Sequence, residues 1–363
     1  MKGDWKLATE KIIELRKEYS RIISKSKQQA KKSECLWCGK KITRFCNSHS
    51  VPQCVLKNID LDGKLDYFNA MLNLPLINED KGIGEAGTFK LICNDCDNKI
   101  FQDYEELSKL ESPPTEVMLE EIALKNVLMM LNKRYFEIEL YHTLEKEYNV
   151  PYPYDVKQEA NALDERDFWL DFLRIKEMRN SSGQTKGAYK MFFWNKLDYV
   201  IPIAFQGLVT LYGDLEGNLV TDTYNTSEDI IVKHMHVCMF PLERSSVIFA
   251  FYHEDDTEYD IFAEQFNKLE ETEKLGVLSY IVYGYCEDMF FAKKFPHRTW
   301  IINKMRDTFM ETAEIWAFDK EHAEYQKKLK LKQLKNRDKD FPCILAEKFA
   351  VKKNRESIIT CKY

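Results

Sequence analysis

The chain has 363 residues, 44 % of them hydrophobic and 13 % aromatic, and a net charge of −6. That length accommodates two or three domains with at least one large core, and the composition excludes a disordered tail. No run approaches the ~18 apolar residues of a membrane helix. The opening "MKGDWKLATEKIIELRKEYS" lacks a signal-peptide core, so the expectation is a cytoplasmic protein with no membrane partner.

Charge is unevenly spread. Residues 1–50 hold thirteen Lys/Arg against five Asp/Glu, a net of +8, which leaves −14 on the remainder. Such asymmetry points to an N-terminal surface facing a polyanion; a lysine-rich helix that is simply well solvated is the competing account. Asp4 to about Lys32 reads as one basic amphipathic helix, with Leu7, Ile12, Ile13, Leu15, Ile22 and Ile23 on an imperfect apolar stripe. This segment (1–32) either packs on the body or pairs with a second copy, so a homo-oligomer is one expectation.

Residues 33–110 form a cysteine-bearing module. Glycines in "DLDGKLDYF" and "DKGIGEAGTFKLIC" predict short strands, long loops and a closing helix. The double proline of "ESPPTEV" ends it, because no helix runs through that stretch. A helical connector (111–182) follows, with helices over Glu116–Tyr148 and Ala160–Met178 and a flexible loop in "NSSGQTKG". From Ala188 the period changes. "YKMFFW", "YVIPIAFQGLVTLYG", "NLVTDTYN", "IIVKHMHVCMF" and "SSVIFAFYH" are β-branched and aromatic runs that predict an antiparallel sheet. Helices are expected over Glu258–Leu269, Lys274–Ala292 and about Thr299–Leu334, which makes 183–363 a second unit and the class α+β.

Ten cysteines in a reducing compartment are not a disulfide framework. Cys46, Cys54, Cys238, Cys286, Cys343 and Cys361 are solitary and read as small buried apolar residues. The other four form two matched pairs, Cys35-x-x-Cys38 and Cys93-x-x-Cys96. Four thiolates at this spacing suit a tetrahedral structural zinc, with Zn–S near ~2.3 Å. Gly39 follows the first pair, where a knuckle turn needs positive φ. The second pair ends the strand-like "TFKLIC" and opens a helical segment. A knuckle first and a helix N-terminus second is the arrangement of a treble-clef finger.

Between the pairs lies "SHSVP", and Cys96 is followed by Asp97, Asn98 and, further on, Tyr104-Glu105. Over residues 33–108 this resembles the HNH endonuclease branch of treble-clef proteins. The resemblance implies that His49 is the general base activating water against a phosphodiester. It places Asp97 as the ligand of a catalytic Mg²⁺ or Mn²⁺, Asn98 as its neighbouring candidate, and Glu105 as a second metal ligand or a cap on the fold. The position before the histidine is usually acidic in the family; here it is Ser48. The family's final His or Asn is replaced by Asp97.

Two function classes follow. One is a metal-dependent nuclease acting on nucleic acid, DNA in preference to RNA. In that reading the second unit senses an activating partner or ligand, or dimerises, as in anti-phage or toxin-like effectors. The other is a non-catalytic, zinc-stapled module that binds nucleic acid or protein. His234 and His236 in "KHMHV" share a strand face but read as ordinary sheet histidines, and "YHEDDTEYD" reads as an acidic helix start.

Overall fold

The computed structural model describes residues 2–71, 74–148, 154–180, 188–225, 227–312 and 320–352. Most of the "NSSGQTKG" loop and Cys361 lie outside them. The class is mixed α and β, with an N-terminal helix, antiparallel sheets and C-terminal helices.

Helix α1 (Lys2–Gln29) lies along α5 (Glu116–Tyr148). Ile22 is buried against Phe136 and Leu140, so at least this stretch of the apolar stripe is spent within the chain. Arg21 and Lys25 both pair with Glu147 near the end of α5.

The cysteine module contains a small two-stranded sheet of β1 (Ser48–His49) and β4 (Thr88–Phe89), a turn of helix α2 (Gln53–Leu56), and helices α3 (Asn94–Ile100) and α4 (Leu107–Leu110). Between β1 and β4 the chain makes a long hairpin, β2 (Lys64–Met71) and β3 (Leu74–Gly82). This hairpin leaves the module. It forms one edge of a seven-stranded antiparallel sheet with β5 (Tyr189–Leu197), β6 (Ile203–Val209), β7 (Met235–Pro241), β8 (Ser246–His253) and β9 (Asp288–Phe291), in the order β3-β2-β9-β6-β7-β8-β5. The sheet therefore crosses the boundaries read at 110 and 182. The Asp66 carboxylate of β2, fully buried, accepts from Lys293 (2.7 Å) and Arg298 (2.7 Å), which ties the hairpin to the C-terminal segment.

The large sheet is covered on both faces. Cys238 and Phe240 of β7 point into a core shared with α5 and the cysteine module, while Val237 and Met239 point into a second core. That second core is closed by α7 (Asp260–Asn267), α8 (Glu271–Tyr285) and α9 (Arg298–Thr312), with Leu334 of α10 (Lys320–Lys335) and Phe341 after α11 (Arg337–Asp340). Strands buried on both faces carry continuous apolar runs rather than alternation, as "MHVCMFP" and "SVIFAFYH" do.

Two sequence expectations change. The helix expected over Lys274–Ala292 ends at Tyr285, where Cys286 turns to extended backbone (φ −98°, ψ 133°), and "DMFF" becomes β9. It pairs with β2 on one side and β6 on the other, so tertiary pairing overrides the helical pattern. "NLVTDTYN" contributes only the isolated bridge Gly213↔Leu219. The acidic stretch after β8 opens α7, but Asp256 within it is buried and paired to Arg174 of α6 (Tyr154–Asn180) at 2.9 Å.

Candidate metal centre and adjoining histidine site

The four paired cysteines converge. Their sulfurs all lie within 4.8 Å of one another, and Cys38 Sγ and Cys93 Sγ are 3.9 Å apart. A tetrahedron with ~2.3 Å Zn–S bonds has edges of roughly 3.8 Å, so the cluster is compatible with a zinc ion.

Local sequence explains the convergence. The first pair sits on a knuckle: Gly39 at φ +69° lets its N–H reach the Cys35 carbonyl (2.8 Å), and Cys35 N–H donates to Lys40 O (2.9 Å). The second pair sits at the start of α3, where Cys93 is the extended N-cap residue and its N–H donates to Cys35 Sγ (3.3 Å). Leu36 and Cys46 are laced to the other arm through Leu91 O (3.0 Å) and Ile92 O (2.9 Å). Burial and neighbouring thiols push the Cys96 thiol up, whereas the Lys40 backbone N–H holds exposed Cys38 down at about 7. A bound cation would offset the cost of gathering four thiolates. Among the described residues this is the one Cys/His/carboxylate group so placed.

His49 lies outside this cluster, on β1, paired across to Thr88. Its Nε2 is 3.0 Å from the Ile83 carbonyl. A carbonyl only accepts, so Nε2 carries the proton, and the lone pair of the neutral ring is on Nδ1. The side chain is half-buried, and burial holds its pKa below 6.5. The hydrogen bond to Ile83 O opposes that most; Lys125 reinforces it, and Glu105 and Asp97 oppose it more weakly.

Asp97, on the first turn of α3, reaches the preceding residue of the same strand. Ser48 Oγ donates to Asp97 Oδ1 at 2.6 Å, and Ser48 is 2 % exposed. Asn98 is exposed on α3, and among the described residues no hydrogen bond ties it to His49 or Asp97. The Glu105 carboxylate is held by Lys125 of α5 in an ion pair. Lys125 is a buried lysine, with Nζ 4.0 Å from the centre of the Phe101 ring. Four residues before it, Glu121 accepts the N–H groups of Asp103 (3.2 Å) and Tyr104 (3.1 Å), and burial pushes its carboxyl up to about 7.

Sequence reading missed Lys125. The available signal was a lysine inside the apolar run "EEIALKNVLMML", where a charge must find a partner. Of the solitary cysteines, Cys238 and Cys286 are buried as expected, while Cys46, Cys54 and Cys343 are half-buried. Burial and Asp97 push the Cys46 thiol up to about 11, which keeps it a thiol at neutral pH. His236 is a sheet histidine on β7, paired to Asn126 (3.1 Å), whereas His234 lies just before that strand and pairs with Thr210 (2.7 Å). Among the described residues no helix is long and apolar enough to cross a membrane. No family model, curated protein or solved structure matches the chain.

Proposed function

We propose that residues 33–110 are a zinc-stapled, treble-clef nuclease centre of HNH type that hydrolyses phosphodiester bonds in nucleic acid, DNA in preference to RNA. The observation that carries this reading is the His49 tautomer. A neutral imidazole is anchored through Nε2 to Ile83 O, and the preceding residue on β1, Ser48, is bonded to Asp97 of α3.

The four-cysteine zinc is coordinatively closed, so it supports and does not react. His49 Nδ1 takes a proton from water as the water oxygen attacks phosphorus. The bond from phosphorus to the leaving sugar oxygen breaks, and that oxygen takes its proton from solvent. Burial keeps the imidazole neutral at pH 7, which is the form a base needs. Asp97 would hold a Mg²⁺ or Mn²⁺, which supplies charge stabilisation at the phosphate and leaving oxygen. One carboxylate suffices for such an ion when water and phosphate complete the shell. Ser48 donates to one Asp97 oxygen and orients the carboxylate. Glu105 is engaged by Lys125, so its role here is to neutralise that cation and not to bind metal.

The test is incubation of purified protein with supercoiled plasmid and Mg²⁺ or Mn²⁺. Wild-type nicking that requires the ion and is lost in Asp97→Ala supports the reading. Cutting by Asp97→Ala at the wild-type rate would remove Asp97 from it.

A further inference from the structure

A cavity of about 200 Å³ lies where α5 and α6 face β6 and the end of α8. An engineered cavity of ~150 Å³ is enough to admit benzene. That one was apolar, and this one is not. Asn126 Oδ1, Asn161 Nδ2, both amide atoms of Gln206 and His234 Nε2 are buried without a hydrogen-bond partner. All four residues line the cavity, and they are 2 %, 4 %, 4 % and 7 % exposed in that order. Gln206 rises from β6, in the middle of the sheet, where an apolar side chain would pack without penalty. The Tyr104 hydroxyl faces it and makes no hydrogen bond either, and it could satisfy only one of the two amide atoms. A fold that gathers this many unmet amide and imidazole atoms in one place is matched to something polar.

The chemistry of the walls narrows the occupant. Each amide has donor and acceptor in one plane. Phe168 and Tyr285 add aromatic surface, suited to a flat ring. Charge argues against phosphate. The lining carries the carboxylates of Glu137, Asp164, Glu287 and Asp288 against Arg134 and Lys330. The Arg134 guanidinium is taken up by Glu137, Asp164 and Glu287. Even with Lys133 counted behind Glu287 and Asp288, acids outnumber bases.

We infer that this cavity binds an uncharged, planar heterocycle with hydrogen-bond donors and acceptors on its edge, of nucleobase type. The site adjoins the nuclease centre without being part of it. Ser50, next but one to Ser48, lines the cavity, and Tyr104 beside Gln206 precedes Glu105.

The test is titration calorimetry of the full chain with adenine, hypoxanthine, cytosine and uracil, each to about 1 mM. At least one base binds saturably, at one per chain. Its affinity falls about tenfold or more in Gln206→Met, which keeps the shape and removes the amide, and in Asn161→Leu. Asn161→Leu carries the comparison if Gln206→Met fails to fold. No binding of any base to protein that circular dichroism reports as folded overturns the inference and leaves the cavity to water. Binding unchanged in the folded variants overturns it as well.

Discussion

The Ser48 hydroxyl donates to the Asp97 carboxylate at 2.6 Å, joining the first strand of the cysteine module to the first turn of its helix. The resemblance to HNH nucleases made Ser48 a departure, since an acidic residue usually stands there. In the fold, Ser48 touches the carboxylate that would hold the metal. Ser48→Ala is expected to cost about 1.5–3 kcal/mol in a denaturant melt, the range for a hydrogen bond to a charged group. Metal-dependent cutting should survive, because Asp97 itself remains. Loss of both cutting and fold would assign Ser48 a larger role.

The sulfur geometry predicts close to one zinc per chain by elemental analysis. Cys96→Ser should lose that zinc and several kcal/mol of stability, because the metal free energy is folding free energy here. A strong chelator should lower the wild-type melting temperature and leave Cys96→Ser unmoved. A wild-type protein that purifies with no zinc and takes none up would contradict the four-cysteine site.

Lys125 is buried beside Glu105 and within the field of His49. Its positive charge disfavours the imidazolium, so Lys125→Met should raise the His49 pKa. NMR titration of the ring reads this directly. In the cutting reaction, the acid limb should move to higher pH. The fold should tolerate the change, since the carboxylate left without its partner, Glu105, is exposed and stays solvated, and Met fills the volume of the lysine stem. An unmoved His49 titration would place Lys125 outside the site.

Four histidines, His49, His234, His236 and His253, are held below 6.5 by burial, and His234 goes down to about 3. Each is neutral when folded and takes up a proton more readily when unfolded. Between pH 6.5 and about 3 the unfolded state therefore binds more protons at His234, and stability falls as pH falls. His234→Gln removes one such group. Its denaturation free energy should drop less than that of wild type over the acid window. Parallel curves would contradict the assignment.

Sequence legibility was uneven for physical reasons. The bounds of α5, Glu116–Tyr148, follow from the double proline before it and the proline segment after it, which are local signals. The knuckle at Cys35–Gly39 and the helix at Cys93 follow from C-x-x-C spacing, also local. The hairpin β2–β3 carries no mark that its partner is β9, more than 200 positions away. Nor does "DMFF" carry a mark distinguishing it from a helix end; only pairing on both sides makes it a strand. Ile83 O and Lys125 were invisible for the same reason. One is a backbone atom, and the other meets Glu105 from a separate helix.

In the proposed reaction His49 is the base. A general base contributes about 10²- to 10⁴-fold. The direct measurement is the rate of plasmid nicking, with Mg²⁺ or Mn²⁺ present, for wild type and His49→Ala across pH. Wild type should nick in a metal-dependent way, hold its rate through neutral pH and lose it only as pH falls through the His49 pKa, which burial sets under the ordinary histidine value. The variant should lose at least about a hundredfold, with zinc content and fold intact. Equal nicking by a folded His49→Ala would contradict that role.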